Sequence, residues 1–123
     1  MKRTMFQLYL NGCDEAIELY AKAFNATIDT IHRNPDNGMI AHAEIIAFGQ
    51  YITFMESGTD TISGNTMQFC FHFEKGDEES IKKAYDALKE SAVISQPLGS
   101  CEWSHCIFSL VDKFGVNWLL FCT

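Results

Sequence analysis

The sequence predicts an α+β fold of two tandem β-α-β-β-β modules, on three observations. The chain has 123 residues, 47% of them hydrophobic, a size and composition that enclose one core. Two segments carry helical periodicity, and each is flanked by short strand-like stretches in the same order. Between the two sets, Glu56 to Asn65 is polar, rich in Gly, Ser and Thr, and without periodicity, as a linker would be. One domain is therefore expected over 1–123, with module one at about 1–57 and module two at about 65–123.

Module one opens with a strand, Phe6 to Leu10, broken by Asn11-Gly12. Asp14 is placed to cap the helix that follows. Ile17, Tyr20, Ala21 and Phe24 recur on one face of that helix, while Glu15, Glu18 and Lys22 hold the other. Asn25 stops it. Ala26 to Ile31 reads as a strand, and Asn34-Pro35-Asp36-Asn37-Gly38 as a turn. Met39 to Ile46 and Gln50 to Met55 then form a hairpin around Phe48-Gly49.

Module two repeats the order. Met67 to Phe73 is strand-like, and Glu78 to Lys89 is helical through Ile81, Ala84, Tyr85 and Leu88. Ala92 to Ile94 forms a short strand that Pro97-Leu98-Gly99-Ser100 turns. Cys106 to Val111 and Val116 to Phe121 close the module around Asp112-Lys113-Phe114-Gly115. The halves also match residue by residue. Gln7-Leu8-Tyr9-Leu10 aligns with Gln68-Phe69-Cys70-Phe71 at an offset of 61, Asp14-Glu15-Ala16-Ile17 with Glu78-Glu79-Ser80-Ile81 at 64, and Phe48-Gly49 with Phe114-Gly115 at 66.

Composition narrows the function. Nine basic against sixteen acidic residues leave a net charge of −7 and no basic stripe, which argues against a nucleic-acid partner. The apolar runs are too short to cross a bilayer, and Met1-Lys2-Arg3-Thr4 leads into strand-like alternation instead of a signal sequence, so no membrane partner and a cytoplasmic location are expected. The five cysteines are odd in number and lack C-x-x-C spacing. Cys101 and Cys106 are close enough in sequence to pair, but a reducing compartment favours free thiols packed as small hydrophobes.

Four segments resemble a known family: Gly12-Cys13-Asp14-Glu15-Ala16-Ile17-Glu18-Leu19-Tyr20 with Ala23-Phe24, Ile40-Ala41-His42-Ala43-Glu44-Ile45, Pro97-Leu98, and Asp112-Lys113-Phe114-Gly115-Val116-Asn117-Trp118. They look like the signatures of the PhnB-like branch of the glyoxalase/bleomycin-resistance/dioxygenase, or vicinal oxygen chelate, superfamily. Trp103 stands at its upstream tryptophan, and Phe108 departs from its usual Gly. The resemblance implies a curled mixed sheet around a ligand cavity, a fold shared by isomerases, dioxygenases, thiol transferases and drug-sequestering proteins. It also implies that a metal, where one is used, is held by His and Glu from the first and last strands of each module.

Carried over through the repeat, those positions are Gln7, Gln68, Thr53 and Leu119, none of them His, Asp or Glu. Their strand neighbours offer no ligands either, so neither a metal nor another cofactor is expected. Alternation puts Gln7, Tyr9, His42 and Glu44 on the cavity side, together with Gln68, Cys70, Asn117 and Leu119. Thr53 and Trp103 complete the expected ligand-binding set.

The function that follows is metal-free binding, or sequestration, of a small molecule. The alternative is a lyase, isomerase or dioxygenase-type enzyme that uses His42 and Glu44, or a noncanonical divalent metal site among His32, His42, His72 and His105 with Glu44 or Glu56. No Gly-rich loop follows a strand to hold a methyl donor. Open sheet edges make a homodimer the expected assembly.

Overall fold

A computed structural model describes residues 1–58 and 67–123. Most of the expected linker, 59–65, and the start of module two at 65 lie outside the described residues, whereas Glu56 belongs to a strand. The elements run β1 (Phe6–Leu10), α1 (Cys13–Phe24), β2 (Thr27–Arg33), β3 (Ile40–Ala47) and β4 (Gln50–Glu56). Then come β5 (Phe69–Phe73), α2 (Glu78–Leu88), β6 (Val93–Gly99), β7 (Cys106–Val111) and β8 (Asn117–Cys122). This is the β-α-β-β-β order twice over, an α+β fold, divided into two compact units at Met1–Thr61 and Ile62–Thr123.

Each unit is a four-stranded mixed sheet with the same topology, β1-β4-β3-β2 in the first and β5-β8-β7-β6 in the second. The first strand pairs parallel with the last, and the remaining pairs are antiparallel. In unit one, α1 turns Ala16, Ile17, Tyr20, Ala23 and Phe24 onto β3 and β4. Strand alternation sends Ala43, Ile45 and Ala47 into that core and leaves His42, Glu44 and Ile46 on the opposite face. Tyr20 stacks on Phe54 with centroids 5.9 Å apart. In unit two, α2 buries Ile81, Ala84 and Leu88. Phe108, where the resemblance leads one to expect Gly, is fully buried with Tyr85 5.1 Å away, so the helix packs on a ring there.

Four local expectations need correction. Asp14 does not cap α1. The cap position is Gly12, whose φ of 85° suits a residue without Cβ, and the free N–H groups of Gly12 and Cys13 donate to the Glu56 carboxylate at 2.7 and 2.9 Å. Asp14 sits in the first turn, where it pairs with Arg33 at 2.6 Å. Second, Pro97-Leu98-Gly99 is not a turn but the end of β6. This is an edge strand with an irregular ladder between Gln96 and Gly99, so the missing proline N–H is tolerated.

Third, β5 begins at Phe69, leaving Gln68 just before it. Fourth, the ladders pair Gln7 with Thr53 and Cys70 with Leu119. Cys70, two residues on and on the same face, therefore replaces Gln68 as the counterpart of Gln7. All five cysteines are free thiols, Cys101 and Cys106 included.

Candidate functional site

The expected site residues of unit one share the sheet face away from α1. Gln7, Thr53, Glu44 and Thr30 form one row across four strands. Thr53 is fully buried at its centre and is hydrogen-bonded to the Gln7 side chain and, at 3.1 Å, to the Phe6 carbonyl. A hydroxyl has one proton. Given to the Phe6 carbonyl, it leaves the Gln7 contact to an amide N–H, with the side-chain amide turned accordingly.

Along β3, His42 Nε2 lies 3.1 Å from Glu44 Oε1, and Arg3 Nη2 lies 3.6 Å from the same oxygen. Arg3 also covers the Tyr51 ring at 4.1 Å. Tyr9 is exposed at the rim beside Met55, its partner across β4.

In unit two, the corresponding face carries Cys70, Asn117 and Leu119, with Gln68 just outside the strand. Gln68 Nε2 donates to Ser109 Oγ at 2.9 Å and to Asn117 Oδ1 at 3.0 Å, and Ser95 donates to Ser109 at 2.8 Å. Trp103 lies in the loop between β6 and β7 and packs edge-on against Phe121, which stacks on His72. Trp103 also borders a groove of about 390 Å³ with Cys101, His105 and Thr123. The structure thus gathers the expected residues into two sets, one on each sheet.

Neither set makes a metal site at the family's ligand positions. Gln7 and Thr53 are bound to each other, Cys70 is an exposed thiol, and Leu119 cannot coordinate. A divalent ion that needs imidazole or carboxylate finds neither there. The donor set does not fit the group.

Three groups outside the expected set matter structurally. Burial acts to raise the Glu56 carboxyl, but the Gly12 and Cys13 N–H groups overcome it and hold the group below the usual range. Burial, reinforced by the same carboxylate, pushes the Cys13 thiol up to about 12. The Asp112 carboxylate, 4% exposed, accepts from Phe114 N at 2.8 Å, Val116 N at 3.0 Å and Trp118 Nε1 at 2.9 Å. The most specific segment of the resemblance, Asp112 to Trp118, is thus a turn organised around one buried carboxyl group. The third group, Glu78, His105 and Cys122, meets at the end of β8. Of its members, His105 is among the candidate metal ligands named from the sequence, but its neighbours here are Glu78 and Cys122, which are far from it in sequence and which no spacing pointed to.

A family model described as 3-demethylubiquinone-9 3-methyltransferase matches residues 1–121. No curated protein matches the sequence. Among solved structures, a PhnB protein from Bacillus cereus, described as a putative 3-demethylubiquinone-9 3-methyltransferase, is 27% identical with a TM-score of 0.82, over 100% of both chains. Protein PA1353 from Pseudomonas aeruginosa is 18% identical with a TM-score of 0.80, over 99% of this chain and 98% of that one. The fosfomycin resistance protein FosX from Mesorhizobium loti shares the fold at 10% identity and a TM-score of 0.71, over 98% of this chain and 91% of that one.

Proposed function

Because the chain belongs to the 3-demethylubiquinone-9 3-methyltransferase family, the PhnB-like branch of the glyoxalase superfamily, we propose that it binds a small, weakly polar molecule without a metal at the family's ligand positions. The observation that carries this reading is the chemistry of those positions: an amide and a hydroxyl that satisfy each other in unit one, a thiol and a leucine in unit two. What surrounds them suits hydrogen-bonding and stacking. Tyr9, His42 and Glu44 lie on the sheet of unit one, and in unit two Asn117 and Phe121 lie on the sheet with Gln68 and Trp103 beside it.

The methyltransferase in the family's description finds no support in the strand–helix junction, where Asn11-Gly12-Cys13 carries a single glycine. One observation favours an enzyme. The 3.1 Å contact between His42 and Glu44 fixes the imidazole ring, as acid-base chemistry requires. The single-domain organisation over 1–123, a cytoplasmic location and a homodimer belong to the same proposal. The exposed apolar side chains Ile28 and Ile31 on edge strand β2, and Val93 and Ile94 on edge strand β6, support the dimer. Among the described residues, no helix is long and apolar enough to cross a membrane.

The test is a thermal-shift screen of uncharged aromatic and heteroaromatic compounds on chelator-treated protein, because a molecule that binds only the folded chain raises its melting temperature. Hits should keep their affinity in chelator and lose at least about tenfold in Tyr9→Ala or Gln68→Ala, a loss of roughly 1.4 kcal/mol. Ligands that bind only with an added divalent ion, or with turnover, would overturn the binding-protein reading.

A further inference from the structure

The two units are built alike, and one corner differs in its chemistry. In unit one the last ladder pair of the parallel strands is Leu10 with Glu56, and the Glu56 carboxylate holds the first N–H groups of α1. In unit two the equivalent pair is Phe73 with Cys122. Glu78, at the start of α2, accepts from Gly76 N at 3.0 Å, and the cap residue Asp77 makes no side-chain cap hydrogen bond. The Cys122 Sγ instead faces His105 Nε2 at 3.4 Å, and the same nitrogen contacts the Glu78 carboxylate.

The structure assigns a new site to this corner: Glu78, His105 and Cys122 form a three-ligand site for a divalent ion of the zinc class, separate from the sheet faces that carry the proposed ligand residues. The three donor atoms lie within 4.8 Å of one another. In a tetrahedral zinc site, with Zn–S about 2.3 Å and Zn–N about 2.0 Å, sulfur and nitrogen sit roughly 3.6 Å apart. The observed 3.4 Å is already close to that spacing.

Thiolate, imidazole and carboxylate are the donors that borderline-soft zinc takes, whereas magnesium and calcium prefer oxygen alone. The Glu78 carboxylate is aimed into this corner by its contacts with Gly76 N and the His105 ring. Lys82, the nearby cation, is engaged by Glu79 at 3.2 Å.

Three protein ligands leave a fourth position for water or a substrate atom, the pattern of reactive zinc sites as opposed to closed structural ones. Solvent reaches two of the three ligands, while Cys122 is buried. The His105 and Glu78 side chains are 43% and 27% exposed, and His105 lines the groove beside Trp103. Binding replaces the S–H bond of Cys122 with a sulfur–metal bond and releases the thiol proton to solvent. The imidazole proton of Nε2, where present, leaves in the same way. No oxidant or reductant takes part. The inference does not depend on the small-molecule reading, which concerns other residues.

Cobalt(II) is the probe, because a thiolate ligand gives it a charge-transfer band and four-coordination gives it intense ligand-field bands. The full chain, purified in chelator, should bind one equivalent and show both. Cys122→Ser, whose folding is checked by circular dichroism, should lose the charge-transfer band, while Cys70→Ser should keep it. His105→Gln, an exposed position that tolerates change, should weaken zinc at least about tenfold in competition with a chromophoric chelator. A spectrum without a thiolate band, a band that survives Cys122→Ser, or zinc affinity unchanged in His105→Gln would each overturn the assignment.

Discussion

Substitution of Asp112 tests whether the segment that most strongly marks the family is structural in this chain. One carboxylate oxygen accepts from Phe114 N and Val116 N, and the other from Trp118 Nε1. Asp112→Ala leaves three buried or half-buried donors without that acceptor. At about 1–3 kcal/mol each, and taking the low end because water can enter a turn, the cost is about 3–5 kcal/mol. Against a total stability of about 5–15 kcal/mol for a small domain, that variant can fail to fold.

Asp112→Asn is the sharper experiment. Its carbonyl keeps the two backbone N–H groups, while its NH2 meets the indole N–H donor to donor, at a cost of about 1.5–3 kcal/mol. Urea unfolding followed by far-ultraviolet circular dichroism measures both variants, and a cycle with Trp118→Phe isolates the indole contact. A coupling of about 1–2 kcal/mol is expected. If Asp112→Asn unfolds within about 0.5 kcal/mol of the parent, as an ordinary surface change would, the reasoning is refuted.

Two further predictions concern titration and reactivity. The Glu78 carboxyl is held at about 2 against an ordinary value of 4.5. Its stabilisation is therefore fully present above pH 4.5 and lost as pH falls toward about 2, because the unfolded chain takes up that proton first. Glu78→Gln should flatten that part of the acid-unfolding curve, and an unchanged curve would count against the His105 pairing. Burial and the neighbouring Glu56 carboxylate push the Cys13 thiol up to about 12, while Cys70 is exposed. Native alkylation read by mass spectrometry should therefore label Cys70 and spare Cys13 until the chain is denatured.

What could be read from the sequence were the features fixed by local pattern. The apolar faces of α1 and α2 follow from Ile17, Tyr20 and Phe24 and from Ile81, Ala84 and Leu88, and the β3–β4 hairpin from Phe48-Gly49, both in the left-handed region. What could not be read depended on partners distant in sequence. Gly12 takes the cap from Asp14 because the acceptor, Glu56, lies 44 residues away. Pro97 stays in a strand because β6 is an edge, a fact of sheet order. The matching glutamines aligned Gln68 with Gln7, but the ladder with β8 favours Cys70. Likewise Glu78 and Cys122 lie 27 and 17 residues from His105, with no spacing to betray them.

The parallel pairing of first and last strands also bears on the order in which each sheet forms. Ala47 meets Gln50 across a two-residue turn, whereas Gln7 meets Thr53 only after 46 residues. Closing the longer loop costs about 2.4 kcal/mol more in chain entropy by the logarithmic scaling of loop length. The β3–β4 hairpin can therefore zip early, and β1 docks on a sheet already made. The same asymmetry operates in reverse: β1, at a sheet edge with one neighbour, can be released without breaking the β3–β4 hairpin. Gln7 and Tyr9 ride on that strand, so in unit one their part of the proposed binding face assembles after the part on β3 and β4 and can fray without it. A ligand held there would act as a latch on the whole unit.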